Sequence, residues 1–352
     1  MLITMPDFDV NPEKRATRFA FLKRQLFVTP PAVTGVHERT EGKTAVVTGA
    51  NSGLGFEVAR QLLELRIGRL ILAVRSETRG EIARKQLISN TSFDDRTIIE
   101  IWPLDLSNYD SVMYFANRTK SLDRLDIFVN NAALAKLDFE INSSSGHEEI
   151  IQVNYLSTVL LVILLLPVLK EKNTTEHPGR IVLVSSDVAS WAKFKEKDSL
   201  PLFSAMDDRT NFEIVERYST SKLLGQLFLF ELAKHIPPTV AIVNAPNPGL
   251  CETGLGREAD GTFGGFVFDM IKKLIARPAS IGARTIVDAA IRHGLETHGQ
   301  YLEDGKIQPH APFVYRPEGQ KIAQQLWKET LEELAFAKIS TIIDSLGIKD
   351  KL

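Results

Sequence analysis

Apolar runs and helical periodicities alternate along the chain from about residue 42 to residue 245. Six short runs are apolar at almost every position, which is typical of strands buried on both faces of a parallel sheet. Between them, apolar residues recur three and four positions apart, the spacing of one helix face. This alternation predicts an α/β fold, a single doubly wound parallel sheet of Rossmann type with about seven strands and helices on both faces. The predicted strands are 43–48, 69–74, 97–102, 125–129, 180–185 and 240–245, and the predicted helices are 54–65, 77–88, 109–119, 147–169 and 214–235.

The other segments predict additions to this domain rather than a second domain. Residues 1–40 form an N-terminal extension with a short amphipathic helix at 19–27, which we expect to pack against the main body. The dinucleotide-binding and catalytic domain is predicted over 41–312, and residues 313–352 as a helical tail on the same domain. An inserted segment, 187–217, separates the fifth strand from the last long helix, and its course is not predicted.

One segment raises the question of a membrane. Residues 156–169 are nearly all Leu, Val and Ile. The run is shorter than the roughly 20 residues of a membrane span, contains Pro167, and follows the polar residues Gln152 and Asn154. It therefore predicts a buried helix and no transmembrane span.

Composition and charge exclude several classes of function. The hydrophobic fraction is 44%, the charged fraction 24% and the net charge −2, so nothing suggests nucleic acid as a partner. The single cysteine, Cys251, excludes an internal disulfide framework and fits a reducing compartment, for which we expect a cytoplasmic location. The seven histidines are scattered without metal-ligand spacing, so no metal site is predicted.

A glycine-rich turn at 48–55, TGANSGLG, joins the first predicted strand to the first predicted helix. Glycines allow a tight turn and a close approach to a pyrophosphate, which then lies at the positive end of the helix. A tight strand-to-helix turn without a ligand is the alternative interpretation. The position after the first strand of an alternating pattern favours a dinucleotide.

The residue after the second strand helps to choose the cofactor. An acidic residue about 20 positions after the glycines typically binds the ribose hydroxyls of NAD. Arg75 holds that place here, and its guanidinium suits the additional phosphate of NADP. A solvated arginine at a strand end is the alternative, and the sequence favours NADP(H).

Later in the chain, polar residues stand where a parallel sheet binds its ligands. Tyr218 and Lys222 are four residues apart on a predicted helix, so both can point into one cleft. Ser185 and Ser186 follow the fifth strand, at the ligand-facing edge of the sheet, although two serines also commonly begin a loop. Asn154 lies in the long apolar helix, where a buried amide needs a partner for either structure or function.

Taken in order along residues 42–305, these motifs resemble the short-chain dehydrogenase/reductase family. The set comprises the glycine turn, Asn154, Ser186, the pair Tyr218 and Lys222, and also the segments Asn130-Asn131-Ala132-Ala133 and Asn247-Pro248-Gly249. The arginine after the second strand, the long inserted segment and the helical tail are similar to the retinol-dehydrogenase-like branch and its fungal secondary-metabolism members.

The resemblance implies an NADP(H)-dependent oxidoreductase that interconverts a ketone or aldehyde and an alcohol, with Tyr218 as general acid/base. In the implied tetrad, Lys222 lowers the pKa of Tyr218 and holds the nicotinamide ribose, and Ser186 binds the substrate oxygen. Asn154 positions a water that links Lys222 to solvent. The implied cofactor-binding residues are Gly49, Asn51, Ser52, Gly53, Leu54, Gly55, Arg75, Asp105, Leu106, Asn131, Ala132, Tyr218, Lys222, Pro248, Gly249 and Thr253.

The sequence departs from the family pattern in two places. Ala133 stands where the family usually has glycine, which adds a methyl group near the cofactor ribose. Pro246 and Asn247 precede the Pro248-Gly249 pair, so we expect a stiffer nicotinamide loop.

The substrate is expected to be a bulky apolar small molecule such as a secondary metabolite. Residues 261–277 combine glycines with phenylalanines and predict a mobile lid, although an ordinary helix start is equally compatible. The inserted segment adds four aromatic residues that favour an apolar ligand: Trp191, Phe194, Phe203 and Phe212.

Assembly and reaction type stay open at this point. Exposed apolar surface on helices 147–169 and 214–235 would predict a homodimer, unless the N-terminal extension covers it. The same scaffold also serves dehydratases, isomerases and cyclases with no net redox change. A cofactor-sensing protein without catalysis is a further alternative, but such proteins usually lack the tyrosine or the lysine, and both are present here.

Overall fold

The computed structural model describes residues 8, 10–36, 40–91, 96–254, 270 and 272–347. Its sheet has eight strands in the order β3-β2-β1-β4-β5-β6-β7-β8, parallel except for the last pair. The prediction of a doubly wound sheet is confirmed, and a short antiparallel β8 extends it by one strand. The strands are β1 Thr44–Thr48, β2 Arg69–Val74, β3 Ile98–Pro103, β4 Ile127–Asn130, β5 Gly179–Leu183, β6 Ala241–Asn247, β7 Tyr301–Glu303 and β8 Lys306–Gln308.

Helices cover both faces of the sheet, because the central strands carry apolar side chains on each face. Strands β1, β4 and β6 are buried at every position. The described helices, numbered in chain order, are α1 Pro12–Arg15, α2 Arg18–Phe27, α3 Gly53–Glu64, α4 Glu77–Asn90, α5 Tyr109–Thr119, α6 Glu149–Ile151, α7 Ser157–Lys172, α8 Leu202–Met206, α9 Ile214–His235, α10 Ala279–Ile291, α11 Pro312–Tyr315, α12 Pro317–Glu333 and α13 Ile339–Leu346.

The core has two parts, one on each face of the sheet. Helices α3 and α10 supply one part, and α5, α7 and α9 supply the larger one. The strand order reverses between β1 and β4, which lie side by side although β2 and β3 intervene in sequence. Ligands of open α/β sheets bind at such a switch point, beyond the carboxyl ends of the strands. The fold therefore places a candidate site after β1, β4 and β5.

The long apolar segment is a buried helix, as predicted. The helical run Glu149–Lys172 has the length and composition of a membrane span, yet 83% of its most apolar window is buried inside the protein. The run of 24 residues is longer than the apolar segment 156–169, so its length does not exclude a membrane span. The burial of the run inside the protein is the observation that favours a core helix. A π-helical turn, Gln152–Leu156, interrupts the run between α6 and α7.

The C-terminal helices cover the surface on which a dimer was expected. Helix α12 packs along α9, where Trp327 stacks on Phe228 with ring centres 5.8 Å apart. Helix α13 packs against α7. Thr330 of α12 also hydrogen-bonds the Tyr155 hydroxyl at 2.8 Å. The tail rather than the N-terminal extension thus packs on both helices, and a homodimer stays a prediction.

Candidate active site

The glycine turn after β1 has the backbone geometry that the sequence predicts. Gly49 has φ +65° and Gly53 has φ +56°, both in the left-handed region that favours glycine. A Cβ on Gly55 would lie 2.5 Å from the Gly49 carbonyl oxygen, so only glycine allows this close approach of helix and turn. Ser52 begins α3 without a side-chain capping bond, which leaves the N–H groups of the first turn for another acceptor. The turn fits a pyrophosphate.

Thr48 ties the glycine turn to the loop that follows β4. Its Oγ1 accepts the N–H groups of Asn131 and Ala132, both at 2.9 Å. Asn131 Nδ2 donates to the Thr48 carbonyl oxygen, also at 2.9 Å. Asn131 therefore braces the centre of the sheet as the resemblance implies. The part that Thr48 plays was not predicted, although its place at the end of β1 is part of the motif.

Arg75 and Asp105 flank the predicted adenosine side of the site. Arg75 directly follows β2, is exposed, and forms no salt bridge with another residue among those described. Ser76 caps α4 by accepting the N–H of Arg79 at 3.4 Å. Asp105 follows β3, and its Oδ1 accepts the N–H and O–H groups of Ser107 at 2.9 and 2.7 Å. Leu106 beside it is buried.

Tyr218 and Lys222 lie on one face of α9, as their spacing predicts. Both are partly exposed. The Lys222 ammonium donates to the Val184 carbonyl oxygen at 2.9 Å, just after β5, and lies 5.7 Å from the centre of the Tyr218 ring. The pair therefore meets the carboxyl edge of the sheet, where the fold places a ligand.

Burial shifts the pKa values of both side chains. It raises the pKa of the Tyr218 phenol well above its ordinary value, because the phenolate is poorly solvated there. It lowers the pKa of Lys222 to about 8. The depression of the Tyr218 pKa that we expected from Lys222 is thus outweighed by desolvation in the protein alone.

The two serines after β5 differ in their surroundings. Ser185 is buried, and its Oγ accepts a hydrogen bond from Gln226 of α9 at 3.1 Å. Ser186 is partly exposed, and the one hydrogen bond of its Oγ with the described residues is a long contact of 3.5 Å with the Val188 N–H. Of the two hydroxyls, that of Ser186 is therefore the less engaged, and its role in binding the substrate oxygen stays a prediction.

Asn154 lies within the π-helical turn. Its Oδ1 accepts the Leu134 N–H at 2.9 Å, and its Nδ2 donates to the Leu134 carbonyl at 2.9 Å and to Ser221 Oγ at 3.1 Å. Both amide hydrogens are thus used within the protein. The side chain joins the loop after β4 to α9, and the water that Asn154 was expected to hold stays a prediction.

The loop after β6 folds back over the start of α3. Gly249 has φ +75°, and its N–H donates to Asn247 Oδ1 at 3.0 Å. A Cβ on Gly53 would lie 3.4 Å from Thr253, so this loop and the glycine turn face one another. The Pro248 carbonyl oxygen accepts a weak bond from Cys251 Sγ at 3.4 Å, and burial raises the pKa of that thiol to about 12, which disfavours a thiolate nucleophile.

The aromatic residues of the inserted segment do not carry the argument for an apolar substrate that we made from the sequence. Phe194 and Phe203 are buried, the first against Phe313 and the second against Tyr155. Trp191 packs on the N-terminal extension. Trp191 and Phe212 stay partly exposed, and Phe212 lies beside Phe139. Aromatic residues serve both to pack a segment against the protein and to bind an apolar ligand. The amino-acid composition of the inserted segment therefore does not show which of the two its aromatic residues do. Of the predicted lid 261–277, residues 261–269 and 271 lie outside the described residues.

Comparison with known proteins defines the family. Residues 43–196 match the family described as short chain dehydrogenase. The chain is 48% identical over 344 residues to the short-chain dehydrogenase fogG of Aspergillus ruber, covering 96% of this chain and 98% of that protein. It is 42% identical to the short chain dehydrogenase/reductase mfmJ of Annulohypoxylon moriforme, with 90% of each chain covered. The protein belongs to the short-chain dehydrogenase/reductase family, a family of oxidoreductases.

Solved structures agree on the fold. The chain is similar to the Pseudomonas aeruginosa RhlG/NADP active-site complex, with a TM-score of 0.58 and 22% identity over 77% of this chain and 98% of that one. It is also similar to a 3-oxoacyl (acyl-carrier-protein) reductase from Agrobacterium tumefaciens with NADP bound, with a TM-score of 0.57 and 18% identity over 78% of this chain and 98% of that one.

Proposed function

We propose that this protein is an NADP(H)-dependent ketoreductase or alcohol dehydrogenase with Tyr218 as its general acid/base. The observation that carries the proposal is the meeting of Tyr218, Lys222 and Ser186 at the sheet edge that also holds the glycine turn. Similar structures with NADP bound support the choice of cofactor.

The residues present fit a dinucleotide phosphate. The uncapped first turn of α3 and the close glycine approach suit the pyrophosphate, and Arg75 suits the 2′-phosphate. Asp105 has one carboxylate oxygen bonded to Ser107, which leaves the other for the adenine amino group. Pro248, Gly249 and Thr253 would face the nicotinamide.

When bound, the nicotinamide supplies or accepts the hydride. In the reducing direction Tyr218 donates its phenolic proton to the carbonyl oxygen, while Ser186 Oγ donates a hydrogen bond to the same oxygen. The phenol keeps its proton at neutral pH, as a general acid must, but burial raises its pKa, so the phenolate left after proton transfer needs a nearby cation. Lys222, still largely protonated at pH 7, stabilises the phenolate that remains and holds the nicotinamide ribose.

The substrate proposed is a bulky apolar ketone or aldehyde of secondary metabolism. Support comes from the partly exposed pair Phe139 and Phe212, whose ring centres are 5.7 Å apart, and from Ile214 and Val215, exposed by 39% and 75% at the start of the catalytic helix. Ile214 and Val215 precede Tyr218 by about one helical turn, and Phe212 precedes the helix by two residues, so they offer apolar surface close to the reacting groups.

The whole chain is proposed to act as one domain. The extension 1–40 and the tail 313–352 would serve the main body 41–312 rather than form units of their own. We further propose a cytoplasmic location, in keeping with the single reduced cysteine.

The test follows nicotinamide absorbance and product together. Purified protein with NADPH is incubated with a panel of aromatic and alicyclic ketones, and alcohol is quantified by chromatography. We expect one alcohol formed for each NADPH consumed. Product without cofactor consumption would instead indicate a dehydratase, isomerase or cyclase, and no product with any carbonyl compound would contradict the proposal.

A further inference from the structure

The N-terminal helix α2 lies against the loop that is proposed to face the nicotinamide. Its docking is more specific than the general packing expected from the sequence. Gln25 is only 7% exposed, although most residues of this helix are exposed. A buried amide must find hydrogen-bond partners, and those of Gln25 come from the loop after β6 and from the segment before α10.

Every hydrogen-bonding group of the Gln25 amide is occupied. Nε2 donates to the carbonyl oxygens of Leu250 and Ile275, both at 2.8 Å. Oε1 accepts the N–H of Leu250 at 3.1 Å. One side chain thus binds both backbone groups of Leu250, in the way that a neighbouring strand would. Arg277 completes the arrangement by donating its N–H to the Leu250 carbonyl at 2.9 Å.

The contact extends to Gly249, the glycine matched to the nicotinamide loop. A Cβ on Gly249 would lie 2.7 Å from Gln25 Oε1, so a side chain there would displace the Gln25 amide. Gly249 also has φ +75°, so the loop turns where Gln25 touches it. The conformation of the loop from Pro248 to Thr253 therefore depends on a residue more than 220 positions earlier in the chain.

Buried charges fix the same helix to the segment that follows Ser186. Arg24 Nη2 pairs with Asp187 Oδ1 at 2.8 Å, and Arg24 Nε pairs with Glu303 Oε1 at 3.1 Å. Asn247 Nδ2 donates to the other Asp187 oxygen at 2.6 Å and to Glu303 Oε1 at 3.2 Å. Arg15 also pairs with Glu303, so two cations balance two carboxylates and hold the helix in one register.

We propose that Gln25 is a positioning residue for NADP(H): by holding Leu250 and abutting Gly249, it sets the loop that receives the nicotinamide. The inference rests on the proposed function of that loop. A loop held in its binding conformation before the ligand arrives pays less ordering entropy on binding, so affinity is higher. Without Gln25 the loop samples other conformations, and only a fraction of the protein is ready to bind cofactor.

The test measures NADPH binding to full-length protein by the change in nicotinamide fluorescence, at a temperature where all variants are folded. Gln25→Leu keeps the approximate size and removes all three hydrogen bonds. We expect it to raise the Kd for NADPH about tenfold, which corresponds to about 1.4 kcal/mol. Lys23→Gln, an exposed position on the same helix, is the matched control and should leave the Kd within twofold.

Further measurements separate the possible outcomes. Gln25→Asn keeps the amide but withdraws it by one methylene, so it should fold even if the leucine variant does not and should show an intermediate Kd. A Gln25 variant that lowers the unfolding midpoint yet binds NADPH as tightly as wild type would overturn the proposal, because the residue would then only anchor the helix. Failure of the wild-type protein to bind NADPH would contradict the proposed function instead.

Discussion

Thr48→Val tests the junction on which both the fold and the site depend. Thr48 is fully buried, and its hydroxyl is the acceptor for two backbone N–H groups, those of Asn131 and Ala132. Valine has nearly the same shape, so packing is kept while the Ala132 N–H loses its acceptor. The Asn131 N–H retains its second acceptor, the Val129 carbonyl oxygen at 3.2 Å. At about 1–3 kcal/mol for a buried N–H left unpaired, we expect the free energy of unfolding to fall by about 1–3 kcal/mol.

Urea unfolding followed by circular dichroism measures this loss, and the matched control is Thr48→Ser. Serine keeps the hydroxyl and removes only a methyl group, at a cost of about 1 kcal/mol. Thr48→Val should also weaken NADPH binding, because Ala132 lies against Gly49 of the glycine turn. A valine variant as stable as wild type, or more stable than the serine variant, would refute the reasoning.

Three further predictions concern charges. Arg75→Glu replaces the cation proposed for the 2′-phosphate, so we expect the ratio of kcat/KM for NADPH over NADH to fall at least about tenfold. Lys222→Met should raise the KM for NADPH and lower kcat, and wild-type activity should decline above pH 8, where Lys222 loses its proton. Burial alone would lower the pKa of His147, but hydrogen bonds to Asp207 and Glu333 raise it to about 9. The protonated ring therefore stabilises the fold fully below about pH 6.5, and this stabilisation is lost as pH rises through 9. We expect the free energy of unfolding, measured with urea, to fall by up to about 3 kcal/mol over that range.

The predictions for Arg75, Lys222 and His147 can each be contradicted by a specific result. Lys85→Glu changes an exposed cation further along α4 and should leave the choice of cofactor unaltered; an equal effect there would show that Arg75 acts only through general charge. A Lys222→Met enzyme with wild-type constants would remove the lysine from the site. Asp207→Asn should flatten the pH dependence of stability, and an unchanged slope in that variant would show that His147 does not cause it.

The fold was largely predictable because the central strands are buried on both faces. Such strands read as continuous apolar runs, and their observed ends lie within a few residues of the predicted ones, as for β2 at 69–74. The strand pair β7 and β8 was missed, since three residues each give no periodic signal. The π-helical turn around Asn154 was missed for a similar reason: one wider turn leaves the apolar pattern of a helix almost unchanged.

The placement of the candidate site residues was predictable where those residues are close together in sequence. Tyr218 and Lys222 share a helix face, and the glycines share a turn, so neighbouring residues were enough. Gln25 and Asp187 were missed because their contacts join segments far apart in sequence, and no periodicity links a helix amide to a distant loop.

The central claim is that Tyr218 transfers the proton while NADP(H) exchanges hydride with a carbonyl compound. The most direct test compares Tyr218→Phe with wild type in two measurements on the same protein, the Kd for NADPH and single-turnover NADPH oxidation with a reactive ketone. We predict a Kd within threefold of wild type and a turnover rate lower by a factor of about 10²–10⁴. Turnover near the wild-type rate without the phenol would contradict the account.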